Sequence, residues 1–210
     1  SLTFYHSNIY LNIIIMLLII TGGIGFLVWG DIRIHKNRIR RFSLQSKVVL
    51  MTYAVLIVLP ALYFFFYEYD HETIHDRTIH SLFQSVTTRT AGFNTTDLAA
   101  MDESGTAIMI ILMLIGGSPG STAGGMKTAT FAVLFLSAIT VLRRRNDVQC
   151  FKRRISNETV CSAGAVLFMY LVLFFTSGII ISKVENLPLL TCLFETSSAI
   201  GTVGLTLGIT

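Results

Sequence analysis

Apolar positions along the chain fall into long uninterrupted runs, not into a short helical or strand period. Residues 9–28, 48–67 and 159–181 are each apolar over a spanning length, since about 20 residues of helix cover roughly 30 Å of hydrocarbon. Trp29 is expected to close the first run at an interface, and Gly22, Gly23 and Gly25 read as small residues that let another helix approach. Pro60 is expected to interrupt the second run, which ends in the aromatic cluster Tyr63, Phe64, Phe65, Phe66 and Tyr67. A further segment, residues 103–142, would be about 60 Å long as one helix, twice what a bilayer requires. The stretch GGSPGSTAGGMKT at 116–128 therefore breaks it. Non-helical backbone at membrane depth is tolerated only where protein buries it or where it lines a water-filled cavity, so this stretch points to a permeation route.

Composition agrees with a bilayer. Hydrophobic residues are 52% and charged residues 13%, against roughly 25% charged in soluble domains, and mean hydropathy is +0.67. The net charge of +4 does not read as nucleic-acid binding, because the basic residues concentrate in two loops between apolar runs. Residues 31–47 carry Arg33, Lys36, Arg38, Arg40, Arg41 and Lys47, and residues 143–157 carry Arg143, Arg144, Arg145, Lys152, Arg153 and Arg154. Both loops are expected on the cytoplasmic side of a multi-pass protein of the plasma membrane, against anionic lipid headgroups. Between them Glu68, Asp70, His71, Glu72, His75, Asp76 and His80 make an acidic external loop, which reads as a solvated cation-attracting surface in preference to a metal site. Cys150, Cys161 and Cys192 lack metal-ligand spacing and are read as free thiols. The chain opens at Ser1 with nothing that resembles a signal peptide, and it reads as a piece of a longer protein.

These sides fix a topology. The run 48–67 ends outside and the broken segment starts outside, so residues 78–102 must enter and return on one face as a re-entrant pore loop. A second such piece is expected at 188–210, with Pro188 at its helix start. The two pieces are an internal repeat: LFQS at 82–85 answers LFET at 193–196, and Thr90, Ala91, Gly92 and Phe93 answer Thr202, Val203, Gly204 and Leu205. The expected fold is all-α and integral to the membrane, built of helix, pore loop, helix units with re-entrant pore helices and one broken transmembrane helix. A dehydrated cation needs several oxygens at once, and backbone carbonyls supply them where glycine leaves the axis unobstructed. The pore helices, ending near Val86 and Ser198, would aim the negative ends of their dipoles at the same place.

TTRTAGFNT at 87–95, GGSPGSTAGGMKT at 116–128 and AIGTVGLT at 199–206 together resemble the membrane subunit of the Trk/Ktr/HKT potassium transporters, most closely the bacterial Ktr type. GGIGFLVWGDI at 22–32 resembles the end of that family's second repeat. The resemblance implies that 1–47 holds the last helix of the second repeat and a basic loop, 48–158 the third repeat, and 159–210 the first helix and pore loop of the fourth. It places the selectivity filter on Thr90, Ala91, Gly92, Phe93, Thr202, Val203, Gly204 and Leu205, with potassium held by backbone carbonyls near Gly92 and Gly204. It places a gating loop on Gly116, Gly117, Ser118, Gly120, Ser121, Thr122, Gly124, Gly125 and Lys127. It further implies potassium uptake with sodium as a candidate coupling ion, a homodimer, and a cytosolic ring of nucleotide-binding regulatory subunits. Two filters and the last helix are missing, so the chain alone would not close a pore.

A loop that buries few apolar side chains could be withdrawn at little packing cost. Lys127 either obstructs the cation path or anchors the loop, since intramembrane charges are usually functional. Two enzyme readings fail: Gly116 to Gly120 fits G-x-S-x-G without the strand-to-helix turn or the His/Asp pair, and Met126 separates Gly125 from Lys127 where a phosphate loop needs G-K. The remaining alternative is a sodium-coupled symporter with broken helices, which would lack paired pore helices.

Overall fold

The computed structural model describes residues 8–36, 38–144, 147–151 and 153–208. Of the expected loop and pore positions, Arg145, Lys152, Ile209 and Thr210 lie outside the described residues. Eight α-helices carry the described chain: α1 Ile9–Ile24, α2 Phe26–His35, α3 Leu44–Tyr63, α4 Ile74–Thr87, α5 Glu103–Leu114, α6 Thr128–Leu142, α7 Asn157–Glu185 and α8 Leu189–Ile200. A short hairpin of β1 Gln149–Cys150 and β2 Arg153–Arg154 joins α6 to α7. Side chains cap the starts that the sequence marks: Asn8, Ser43, Thr73 and Ser156 each accept from a backbone N–H three residues on, which satisfies a donor that the first helical turn leaves free.

Among the described residues two helices are long and apolar enough to cross a membrane unaided, Leu44–Glu68 and Asn157–Glu185, and α1 with α2 makes a third only if the bent pair counts as one span. The expected first span, 9–28, is thus corrected. It ends at Ile24, because Gly25 takes φ 86 and ψ 151, which no helix contains, and the chain turns by 92° into α2. Trp29 consequently lies in α2 and donates its indole N–H to Thr21 O at 3.0 Å, back across the bend. The basic stretch 31–47 is correspondingly less of a loop, since α2 runs to His35 and α3 begins at Leu44. Pro60 does not interrupt its span either. It sits inside α3, which continues as a π-helical turn over Phe64–Glu68.

The acidic histidine loop also proves partly helical: His75, Asp76 and His80 belong to α4, and buried His80 pairs through Nδ1 with Glu72 Oε2 at 2.7 Å. Asp76, in the first turn, accepts from the Thr73 hydroxyl, and that bond, helped by His75, holds its carboxyl below the usual range. Among the described residues no three His, Cys, Asp or Glu side chains gather to hold a metal ion. Cys150, Cys161 and Cys192 are free thiols.

The core forms where the two short helices and the non-helical stretches meet. Phe64 of the π-helical turn, Met109 and Met113 of α5, Phe194 of α8, Met126, Val203 and Leu205 share one buried cluster. A second cluster sets Met16 of α1 against Phe83 and Val86 of α4. By contrast α7 presents Phe168, Met169, Leu173, Phe175, Ile179 and Ile180 outward, as a helix does when its solvent is hydrocarbon. The fold is all-α and membrane-embedded.

Candidate functional site

α4 has 14 residues and α8 has 12, too few to cross a bilayer, and each is followed by a chain reversal. After α4 the chain returns to the level where it left α3: the Tyr69 hydroxyl meets Thr96 Oγ1 at 3.1 Å, and Asp102 N–H donates to Glu68 Oε1 at 3.0 Å. The excursion between those points therefore enters and leaves on one side. α8 is tied to its own return in the same way, with Glu195 Oε1 accepting from Thr206 Oγ1 and from Leu207 N–H, both at 2.7 Å. Gln84, which answers Glu195 in the repeat, receives the Thr96 hydroxyl at 3.5 Å.

Between the helix ends and those ties lie the two candidate filter segments, and their backbones match. Thr90 and Thr202 take φ 59 and 54, although neither is glycine, and Gly92 and Gly204 take φ 69 and 89. Ala91, Phe93, Val203 and Leu205 keep negative φ, so the sign alternates residue by residue in both copies. Left-handed backbone at a β-branched threonine costs energy and persists only where the surroundings impose it. Here the helix ends impose it: Ala91 N–H donates to Thr87 O at 3.3 Å, Val203 N–H to Ser198 O at 2.8 Å and Gly204 N–H to Ser198 Oγ at 3.1 Å. With the amides turned toward the helices, the carbonyls of Thr90, Ala91, Gly92, Thr202, Val203 and Gly204 accept no hydrogen bond among the described residues. Val203 and Leu205 point into the core while Thr202, Gly204 and Thr206 stay exposed. Phe93 does not follow Leu205 in this, being 44% exposed. The segments touch, since a Cβ on Gly92 would lie 2.2 Å from Val203 O.

The stretch at 116–128 is not loose. Its neck is a parallel bridge between Ile115 and Met126, with Gly116 N–H donating to Met126 O (2.9 Å), Met126 N–H to Leu114 O (3.1 Å) and Thr128 N–H to Gly117 O (3.0 Å). Its tip enters the break between α1 and α2. Ser118 N–H donates to Gly23 O at 3.0 Å, the buried Ser118 hydroxyl is shared between Gly23 O and Ile24 O, and Phe26 N–H donates to Gly120 O at 3.0 Å. The last carbonyls of α1 and the first amide of α2 are thus satisfied by the loop, the partners that a break in a helix demands. Gly25 has to be glycine twice over, for its φ and because a Cβ would meet Ser118 Oγ at 2.6 Å and Pro119 O at 2.8 Å. Gly124 faces the second candidate segment, where a Cβ would lie 2.0 Å from Thr202 Oγ1. Lys127 Nζ donates to Ala123 O at 2.5 Å, so its ammonium ties down its own loop. Gly120, Ser121 and Thr122 form the outer turn of the loop, and the Ser121 hydroxyl donates to Ser118 O at 2.6 Å. A cleft of about 290 Å³ is lined by Thr90, Ala91 and Phe93, by Thr122 and Ala123, and by α1 through Leu18, Ile19, Gly22 and Gly23. The first candidate filter segment and the loop therefore face one space.

The sequence motifs assign no role of its own to Arg89. It is 2% exposed and donates to Ile115 O at 2.7 Å and to Leu56 O at 2.8 Å. The signal that could have found it is a lone arginine beside a filter glycine, read together with Pro60 four residues after Leu56.

Residues 1–210 match the family described as TrkH, cation transport protein. The chain belongs to that family. Among similar proteins are the Ktr system potassium uptake protein B of Bacillus subtilis, 38% identical over 216 residues covering 100% of this chain and 48% of the relative, and the potassium/sodium uptake protein NtpJ of Enterococcus hirae, 35% identical over 219 residues with the same two coverages. The potassium transporter TrkH from Vibrio parahaemolyticus has a crystal structure that superposes with a TM-score of 0.73 at 18% identity, over 95% of this chain and 46% of that one, which shows the shared fold. The chain spans about half the length of these relatives. The TrkH family transports cations and is not a family of enzymes, so the hydrolase and phosphate-loop readings of 116–128 are closed.

Proposed function

We propose that the chain supplies half of the pore of a potassium uptake protein, with its filter at residues 90–93 and 202–205 and its gate at 116–128. The observation that carries the reading is the paired backbone: two segments with the same alternation of φ sign, lying against each other, whose carbonyls at 90–92 and 202–204 take no hydrogen bond among the described residues. Free carbonyls on a constrained backbone are what replaces the hydration shell of a monovalent cation. The helix ends of α4 and α8 add their negative dipole ends behind those carbonyls. The gate reading is supported by Gly124 against Thr202 and by a cleft that filter and loop both line.

On this reading 1–47 ends the second repeat, 48–158 is the third and 159–210 begins the fourth. The remaining filters come from chain outside these residues. The cargo is potassium, as in the names of the Ktr and TrkH relatives, and the Enterococcus hirae name adds sodium as a second cargo or a coupling ion. The protein works as a homodimer in the plasma membrane, with a nucleotide-binding ring on the side of the basic loops.

The test is uptake by the full-length protein in cells that lack other potassium uptake, with potassium and sodium compared for the parent and for Gly92→Ser. A lowered preference for potassium supports the filter; unaltered preference removes it. Deleting 117–125 should raise potassium flux, and unchanged flux at equal expression removes the gate.

A further inference from the structure

We propose that Arg89 is a positioning residue that locks the filter and the start of the intramembrane loop into one register; this rests on the filter and gate reading above. Arg89 is nearly fully buried, and among the described residues no carboxylate lies within ion-pair distance of it. Such a charge is costly unless hydrogen-bonded, and the guanidinium finds its partners in two backbone carbonyls. One is Leu56 O, at 2.8 Å from Nη2. That carbonyl is available because Pro60, four residues on, has no N–H to give it, so the proline inside α3 opens an acceptor without ending the helix. The other is Ile115 O, at 2.7 Å from Nη1. Ile115 follows the last residue of α5 and forms the neck of the loop with Met126.

The backbone of Arg89 directly precedes Thr90, so one planar group joins α3, the loop neck and the filter. The charge also sits where α4 and α5 both end, and the negative ends of two helix dipoles offset it. The second repeat carries Gly201 at the equivalent position, and there a Cβ would stand 2.3 Å from Met113 O. The end of α5 is therefore wedged between the filters, bonded by a side chain on one side and abutted by bare backbone on the other. A displacement of the loop neck pulls on Ile115 O, and through Arg89 on Thr90. Lysine would not substitute, since a flexible stem with a compact ammonium lacks the fork that reaches two separate carbonyls.

The experiment uses the full-length protein reconstituted in vesicles, with potassium and sodium uptake measured per folded molecule. Arg89→Gln and Arg89→Lys are each expected to lower the potassium-to-sodium ratio about tenfold, the size of one lost charge-assisted hydrogen bond. Pro60→Ala returns a helical donor to Leu56 O, so it should lower the ratio by less and add nothing in the Arg89→Gln background. A residue of purely structural importance would reduce the amount of folded protein and leave the ratio per molecule alone. Ratios within twofold of the parent for the Arg89 variants, or additive effects of Pro60→Ala and Arg89→Gln, overturn the proposal. If Arg89→Gln does not accumulate, Arg89→Lys decides in the same way. A Gly92→Ser arm separates the two readings: an altered ratio there with unaltered Arg89 variants overturns the clamp alone, and no change in any variant overturns the filter reading with it.

Discussion

Ser118→Ala probes the docking of the loop in the break between α1 and α2. The Ser118 side chain is buried, and its single hydroxyl proton serves both Gly23 O and Ile24 O, while the backbone N–H independently holds Gly23 O at 3.0 Å. Removing the hydroxyl leaves Gly23 O partnered and Ile24 O short of a donor from the loop. A neutral hydrogen bond is worth about 1 kcal/mol net, and a buried acceptor left unmade raises that toward about 2 kcal/mol. If the hydroxyl is engaged only while the loop is docked, the whole difference falls on the docking equilibrium. About 1 kcal/mol is roughly a fivefold shift toward the undocked state. Basal potassium flux through the full-length protein, measured by uptake in depleted vesicles without regulatory subunits, should rise about fivefold. Ser121→Ala is the control, because the Ser121 hydroxyl donates to Ser118 O inside the same loop and spans no contact with α1. Flux in Ser118→Ala equal to that of Ser121→Ala, with both proteins folded, would refute the docking argument.

Gly92 and Gly204, the glycines of the two proposed filter segments, should differ in how much fold they cost. Gly92→Ser meets Val203 O where a Cβ would be 2.2 Å away, whereas around Gly204 the nearest atom stands at 4.0 Å, so Gly92→Ser should lower thermal stability more than Gly204→Ser, as size-exclusion after heating would report. Equal loss would contradict the packing described. Gly124→Ala should destabilise by about 1–3 kcal/mol through its clash with Thr202, and Thr202→Ala, which removes the Oγ1 at 2.0 Å and the Cγ2 at 2.9 Å, should restore part of it. A double variant no better than Gly124→Ala would count against that contact. Glu195→Gln removes a carboxylate beside the return of the second filter segment, so half-saturating potassium should rise about threefold, most at low ionic strength. No change at low ionic strength would remove Glu195 from cation recruitment.

Much of this architecture was legible in the chain because the signals are local. A short helix over part of 78–102 was expected from apolar spacing, and α4 is that helix, begun earlier at Ile74 because Thr73 caps it. Pro188 was expected at a helix start and stands as the residue before α8. Where the structure departs from the sequence pattern, the determinant lies elsewhere in the chain. In sequence Gly25 reads as a packing surface, and only a loop more than ninety residues away supplies the donors and acceptor that let the helix break there. Pro60 was expected to interrupt α3, and the helix survives because Arg89 and the π-helical turn absorb the disturbance. Lys127 could have blocked or anchored, and its bond to Ala123 O favours the anchor.

The solvent, two of the three expected spans, the two-fold internal repeat and the helix break at 116–128 are written in the chain itself. Run length, glycine content and repeated motifs state these within a few tens of residues, and lipid leaves the backbone few other choices. Folding alone brings the loop at 116–128 into the break at Gly25, sets the two proposed filter segments against each other, and joins α3 to the loop neck through Arg89. Those contacts are made largely to backbone carbonyls and amides, which every residue carries alike, so no pattern of side chains announces them.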